Sequence, residues 1–255
     1  MNLLRIEGLT VELPAADGTF RVLDDQSLEV PAGGILGIVG ESGSGKTMLL
    51  RALKGILPDG ATRSWRRAEF DGAAVDDLGR LPVSMVFQDP MTSFNPLVRI
   101  GAHLVEVVRR RERMPRRAAR AEAVAALTAA RVPDAERVFD RYPHELSGGL
   151  RQRAMIAMSL LARPRLLLAD EPTTALDATV QAEILALLAQ LRAERQLTVV
   201  IVTHDLGVVA ALCDTVAVMK GGEIVERGTV DDVFADPRHP YTRSLLSAAP
   251  ERGGL

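Results

Sequence analysis

Cysteine is almost absent: Cys213 is the only one in 255 residues. One thiol closes no internal disulfide, and four scattered histidines offer no zinc-ligand spacing. Charge of one sign is not in excess either. The net charge is −2, so no global basic field calls for nucleic acid. Long apolar runs are missing. The longest apolar region, Leu197 to Met219, is broken by His204, Asp205 and Asp214, whereas a membrane span needs about 20 nearly uninterrupted apolar residues. The N-terminus "MNLLRIEGLTVEL" carries Arg5 and Glu7 and no apolar signal core, so no secretion signal is expected. There is no internal repeat and no low-complexity linker. What remains is 47% apolar and 25% charged residues, ample for one large domain with or without an inserted subdomain. These features predict a cytoplasmic chain that meets a membrane only through a partner.

Along the chain, "LLRIEGLTVEL" and "RVLDDQSLEV" alternate as strands around an "ADG" turn. "ILGIV" is a short buried strand, and "MLLRALKGIL" has helical spacing up to about Pro58. "RAEFDGAAV" reads as another edge strand and "PVSMVFQ" as a second buried one. Residues 101–141 are rich in Ala, Arg and Glu and read as a helical insertion. From Pro164 the alternation resumes: strand "RLLLAD", a long helix "ATVQAEILALLAQLRAERQ", strand "LTVVIVTH", helix "LGVVAALC", and a hairpin "TVAVMKGGEIVERG" turning at Gly221-Gly222. The tail "DDVFADPRHPYTRSLLSAAP" reads as two short helices split by Pro237 and Pro240. Strands alternating with helices predict an α/β fold with a mostly parallel core sheet.

"GESGSGKT", residues 40–47, fits G-x-x-x-x-G-K-[ST] between a predicted strand and helix. Consecutive amides in such a turn (Glu41, Ser42 and Ser44 among them) point into one concavity, and the following helix adds its positive N-terminus. Gly40, Gly43 and Gly45 allow a backbone path that side chains would block. Lys46 is expected to reach the β- and γ-phosphates and Thr47 to ligate magnesium. In "RLLLADEP", Asp170 can hold the magnesium shell while Glu171 orients or deprotonates a water, a pairing that favours hydrolysis. In "ELSGGLRQR", Ser147, Gly148 and Gly149 precede a helix. That is a second anion site or an ordinary serine N-cap.

Taken together, these segments resemble an ATP-binding cassette ATPase over essentially the whole chain. "GESGSGKT" resembles its Walker A loop and Gln88 in "MVFQDP" its Q-loop glutamine. "LSGGLRQ" resembles its signature, "LLLADE" its Walker B strand, "TALD" ending at Asp177 its D-loop, and His204 in "IVTHD" its switch histidine. The resemblance implies one domain over 1–255. The P-loop NTPase core and an antiparallel β subdomain would take 1–88 and 164–235, a helical subdomain with the signature 89–163, and a short tail 236–255. It implies that ATP and Mg2+ are the cofactors, with Thr47, Gln88 and Asp170 around the metal. Glu171, His204 and Gln88 would be catalytic, and Ser147, Gly148, Gly149, Gln152 and Asp177 would lie on the nucleotide. Ser147 and Gly149 would close over ATP held by a facing subunit, so hydrolysis needs a head-to-tail dimer. The family stacks adenine on an aromatic residue; Phe20 is the nearest, with core packing as its alternative. The arginine run 109–120 reads as a solvated helix face rather than a surface for nucleic acid or anionic lipid. Trp65 reads as a packing anchor or a surface residue.

A single cassette without membrane spans and with a short insertion resembles an importer subunit. "QDPMTSFNPLVRIG" and "DPRHPYTRSLLSAAP" resemble the peptide and nickel importer branch. The region after Gln88 is then expected to receive a coupling helix of the membrane subunit. A chain stopping at Leu255, with "KGILPDG" and "GVVAALCDTVAVM", is closer to the first of the two nickel-importer ATPases, which puts nickel or a metal chelate slightly ahead of peptide. The partners implied are a second, different cassette, two integral membrane permeases and an extracytoplasmic binding protein. The implied location is peripheral, on the cytoplasmic face of the bacterial plasma membrane, without nucleic acid.

Overall fold

The apolar-polar alternation of the first thirty residues becomes a long antiparallel hairpin in the computed structural model, which describes residues 1–174 and 176–248, with backbone alone at Met91 and Thr92. Internal contacts divide the chain into two units: Met1–Leu81 with the chain from Gln196 onward, and Pro82–Arg195.

In the first unit the hairpin is β1 (Asn2–Ala15) and β2 (Gly18–Pro31), whose inward residues Leu9, Val11, Leu23 and Val30 are fully buried. Strand β3 (Ile35–Val39) follows with all five residues buried, then α1 (Lys46–Lys54). The helix stops earlier than Pro58 because Gly55 adopts the left-handed conformation and returns its N–H to Arg51 and Ala52. Strands β4 (Thr62–Ser64) and β5 (Arg67–Phe70) both pair with β1, and β6 (Ala73–Ala74) pairs with β5. The expected single strand "RAEFDGAAV" is therefore a hairpin. Asp71 and Gly72, at φ 54 and 78, make the two-residue turn that joins its halves.

The chain then builds the second unit: β7 (Val83–Val86), α2 (Pro90–Ser93), α3 (Ile100–Arg111), α4 (Arg116–Ala129), α5 (Ala135–Phe139), α6 (Gly148–Leu161), β8 (Leu166–Asp170) and α7 (Ala178–Arg195). Strands β7 and β8 are parallel and wholly buried. The insertion is helical because its small apolar residues recur at helical spacing: Leu104 and Val108 on α3 and Ala119, Ala123 and Leu127 on α4 are fully buried.

Back in the first unit come β9 (Thr198–Val202), α8 (Leu206–Leu212), β10 (Thr215–Lys220), β11 (Glu223–Thr229), α9 (Val230–Ala235) and α10 (Pro240–Ser247). Strand β3 lies parallel between β9 and β10, and β11 returns antiparallel through Gly221-Gly222 at φ 57 and 87. Each buried aliphatic side chain of such strands contributes roughly 1.5–3 kcal/mol. The tail forms two helices as expected, but Pro240 opens the second rather than interrupting it. A proline is preorganised for a first helical position, and His239 Nδ1 caps the turn by accepting from the Tyr241 N–H at 3.2 Å. Ala249 and Pro250, the end of "SLLSAAP", lie outside the described residues.

Cys213 ends α8 with its sulfur packed beside Gly37, where an added Cβ would come within 2.9 Å. Burial, helped by the Asp214 charge, pushes its thiol up to about 12. The thiolate fraction at pH 8 is then roughly 10^3 below that of an ordinary cysteine. We predict that iodoacetamide modifies the folded chain at least a hundredfold more slowly than the denatured one; comparable rates would contradict the burial.

Candidate nucleotide site

Residues 40–47, the expected phosphate loop, belong to the first unit. At Gly40 a Cβ would sit 2.1 Å from the Met219 carbonyl oxygen, so only glycine lets β3 turn into the loop beside β10. Gly45, at φ 99, is the N-cap of α1, and no side chain bonds the first amides there as a cap. Lys46 is 6% exposed. A buried ammonium needs acceptors, and its Nζ donates to Gly40 O at 2.8 Å, Glu41 O at 2.7 Å and Ser44 Oγ at 3.3 Å. Two contacts grip the loop from outside. The Gly222 N–H donates to Ser44 O at 3.0 Å, and the Glu41 N–H donates to the Tyr241 hydroxyl at 2.9 Å. Ser42 and Gly43 are exposed, and Thr47 is half-buried on the first turn of α1. In the same unit His204 stands exposed just beyond β9. Its neighbour Asp205 caps α8 through the Gly207 and Val208 amides at 2.8 and 3.3 Å. Phe20 on β2 is 62% exposed and packs in no core.

In the second unit Asp170 closes β8 at 3% exposure, and Glu171 follows at φ 44. A non-glycine residue in that region costs on the order of 1–3 kcal/mol and concentrates at functional positions. Glu171 Oε2 accepts from Gln88 Nε2 at 3.1 Å and from Thr174 Oγ1 at 2.8 Å. Gln88 thus spends its amide nitrogen on Glu171 and keeps its carbonyl oxygen as an acceptor.

The signature segment lies in this unit too. Ser147 is the N-cap of α6, its Oγ accepting from the Leu150 N–H at 3.4 Å, so the ordinary cap is physically present. Gly149 has a packing reason of its own: a Cβ there would come 2.7 Å from Val180 Cγ1 on α7. Gln152 is 1% exposed, and its Nε2 has no partner among the described residues. The resemblance puts it on the nucleotide; within this unit its place on α6 encloses it. Asp177 caps α7, its Oδ1 accepting from Val180 N–H at 2.9 Å; Ala175 of "TALD" lies outside the described residues.

The arginine run divides by partner. Arg111 is bound by Glu122 through two bonds of 2.9 Å, which hold the Glu122 carboxyl below the usual carboxylate range, and Arg120 pairs with Glu136 at 2.8 Å. Arg109, Arg113, Arg116 and Arg117 have no acidic partner among the described residues and border a cleft of about 1320 Å³ with α3, α4 and α5. Trp65 is half-buried under the Arg63 guanidinium, 5.5 Å from its ring centre.

A family model described as "ABC transporter" matches residues 23–174, more than half of the chain. The chain belongs to the ABC transporter family. A second model, "Oligopeptide/dipeptide transporter, C-terminal region", matches residues 225–254. The oligopeptide transport ATP-binding protein OppD of Haemophilus influenzae is 44% identical over 99% of this chain and 80% of its own length. OppD of Salmonella typhimurium is 46% identical over 97% and 76%. Among solved structures, CbiO1 of Clostridium perfringens, part of the ABC transporter complex cbiONQ, is 30% identical with a TM-score of 0.76 over 92% and 91% of the two chains. The ATP-binding cassette MJ0796, solved as a dimer in a post-hydrolysis state with ADP and Pi, is 28% identical with a TM-score of 0.77 over 89% and 98%.

The cassette accordingly has the α/β P-loop fold and is an ATP hydrolase coupled to transport, of the oligopeptide/dipeptide importer type. Sequence reasoning assigned no part in the candidate site to three residues that hold it: Tyr241, Gly222 and Thr174. Tyr241 stood in plain view in the tail segment used as a branch marker. Its partner Glu41 lies 200 residues away, and no local pattern reports such a contact.

Proposed function

We propose that this cassette is the ATPase subunit of a peptide importer. The match of residues 225–254 to the oligopeptide/dipeptide transporter C-terminal region carries this reading, and the OppD relatives support it. Both weigh for peptide over the nickel or metal chelate that the sequence placed slightly ahead. In this reading one cassette spans 1–255, with a core, a helical subdomain and a tail. Lys46 and the loop amides from Gly40 to Thr47 bind the phosphates. Magnesium would be held by the Thr47 hydroxyl, the Gln88 carbonyl and the Asp170 carboxylate. These are hard oxygen donors suited to it, Asp170 being a buried acid at a strand end. When bound, the metal neutralises phosphate charge. Glu171, oriented by Gln88 and Thr174, takes the proton of the attacking water, and His204 contacts the γ-phosphate. Ser147 with Gly148, Gly149 and Gln152 closes over the nucleotide of a facing cassette near Asp177.

The same reading gives the chain a second, different cassette, two permeases and an extracytoplasmic binding protein as partners. It places the chain on the cytoplasmic face of the bacterial plasma membrane. No helix among the described residues is long and apolar enough to cross a membrane. The test is ATP hydrolysis by the assembled importer. A binding protein loaded with oligopeptide is expected to stimulate it several-fold, and one loaded with a nickel chelate is not. Stimulation by the nickel form alone would overturn the peptide reading.

A further inference from the structure

We propose that Tyr241 is a positioning residue for the phosphate loop: its hydroxyl fixes the Gly40–Glu41 peptide and thereby sets how tightly the loop takes ATP. The proposal rests on the reading of residues 40–47 as the ATP loop. It assigns the tail a part in nucleotide binding that neither its length nor its sequence pattern announces.

The geometry runs through one peptide plane. Its N–H, on Glu41, donates to the Tyr241 hydroxyl at 2.9 Å, and its C=O, on Gly40, accepts from Lys46 Nζ at 2.8 Å. Tyr241 and Lys46 therefore hold opposite ends of the same dipole, and each bond strengthens the other. A flip of this peptide would lose the Lys46 bond to Gly40 O and would make the Tyr241 hydroxyl turn from acceptor to donor. The next carbonyl, Glu41 O, also accepts from Lys46 Nζ at 2.7 Å and from the Ser44 N–H at 3.2 Å, so the orientation is passed along the loop.

Tyr241 is itself held firmly. It is 7% exposed and packs with Val39, Val216, Val218 and Val233. Lys220 Nζ lies 4.9 Å from its ring centre. A phenylalanine would fill that apolar space equally well, whereas a buried hydroxyl must find a partner, and here the partner is the loop. Without it the empty loop samples orientations in which its amides do not converge, and ATP must reorder them on binding.

The experiment compares Tyr241→Phe with wild type in the assembled importer. Losing one neutral hydrogen bond is expected to raise the Kd of a fluorescent ATP analogue and the KM for ATP together, by about 3- to 10-fold. We expect kcat to stay within twofold, the nucleotide-free melting temperature to stay near wild type, and the Glu41 amide to exchange its hydrogen faster. Unchanged Kd, KM and exchange would overturn the proposal. So would a fall in kcat at constant KM. A melting temperature as low as that of Tyr241→Ala, which also loses the ring, would make the role packing alone and overturn it too. Lys46→Ala is measured alongside: if that variant binds ATP like wild type, the underlying loop assignment fails, independently of the Tyr241 result.

Discussion

Glu171→Gln is expected to bind ATP normally while turning over about 10^2 to 10^4 times more slowly, the cost of losing a positioned general base. The substitution is nearly isosteric. A glutamine oxygen can keep accepting from Gln88 Nε2 and Thr174 Oγ1, which now lie 3.1 and 2.8 Å from Glu171 Oε2. The strained backbone at φ 44 is unchanged by it. Only the ability to take a proton disappears. ATP should therefore accumulate in a closed pair of cassettes that discharges only slowly. Phosphate release by the assembled importer gives the rate, and size-exclusion chromatography with ATP shows the trapped pair. Turnover near the wild-type rate would show that another group is the base.

Lys46→Ala is expected to fail one step earlier. Charge-assisted hydrogen bonds contribute about 1.5–3 kcal/mol each, so ATP binding should weaken roughly ten- to a hundredfold or more and transport should cease. Lys46 also satisfies the carbonyls of Gly40 and Glu41, so some stability is lost with it. A melting curve without nucleotide measures that part, and calorimetry with ATP measures the binding. The two variants thus have opposite signatures, ATP held without turnover and ATP not held at all. Unchanged ATPase activity in Lys46→Ala would sink the loop assignment.

Sequence alone was most informative where a short stretch carries its own geometry. Gly40 and Gly45 mark a turn that side chains would obstruct. The apolar run ending in Asp170 announces a buried strand whose last residue meets polar surroundings. Gly221-Gly222 announces the hairpin. The same rule misled at "RAEFDGAAV", where the period-two pattern runs on through a turn at Asp71-Gly72. At Gln152, placed on the nucleotide by resemblance alone, the local pattern did not announce that its position on α6 is interior.

By itself, then, the sequence determined the strand-loop-helix around "GESGSGKT", the acid pair at Asp170-Glu171 and the helical character of 101–141. Each follows from φ preferences and hydrophobic period within a dozen residues. Tertiary structure alone decided what those groups touch: Tyr241 on the Glu41 amide, Gln88 and Thr174 on Glu171, and Val180 against Gly149. A local pattern reports which face of an element is buried, but not which distant side chain is packed against it. That choice is made only when the elements close on one another and each buried polar group has to find a partner.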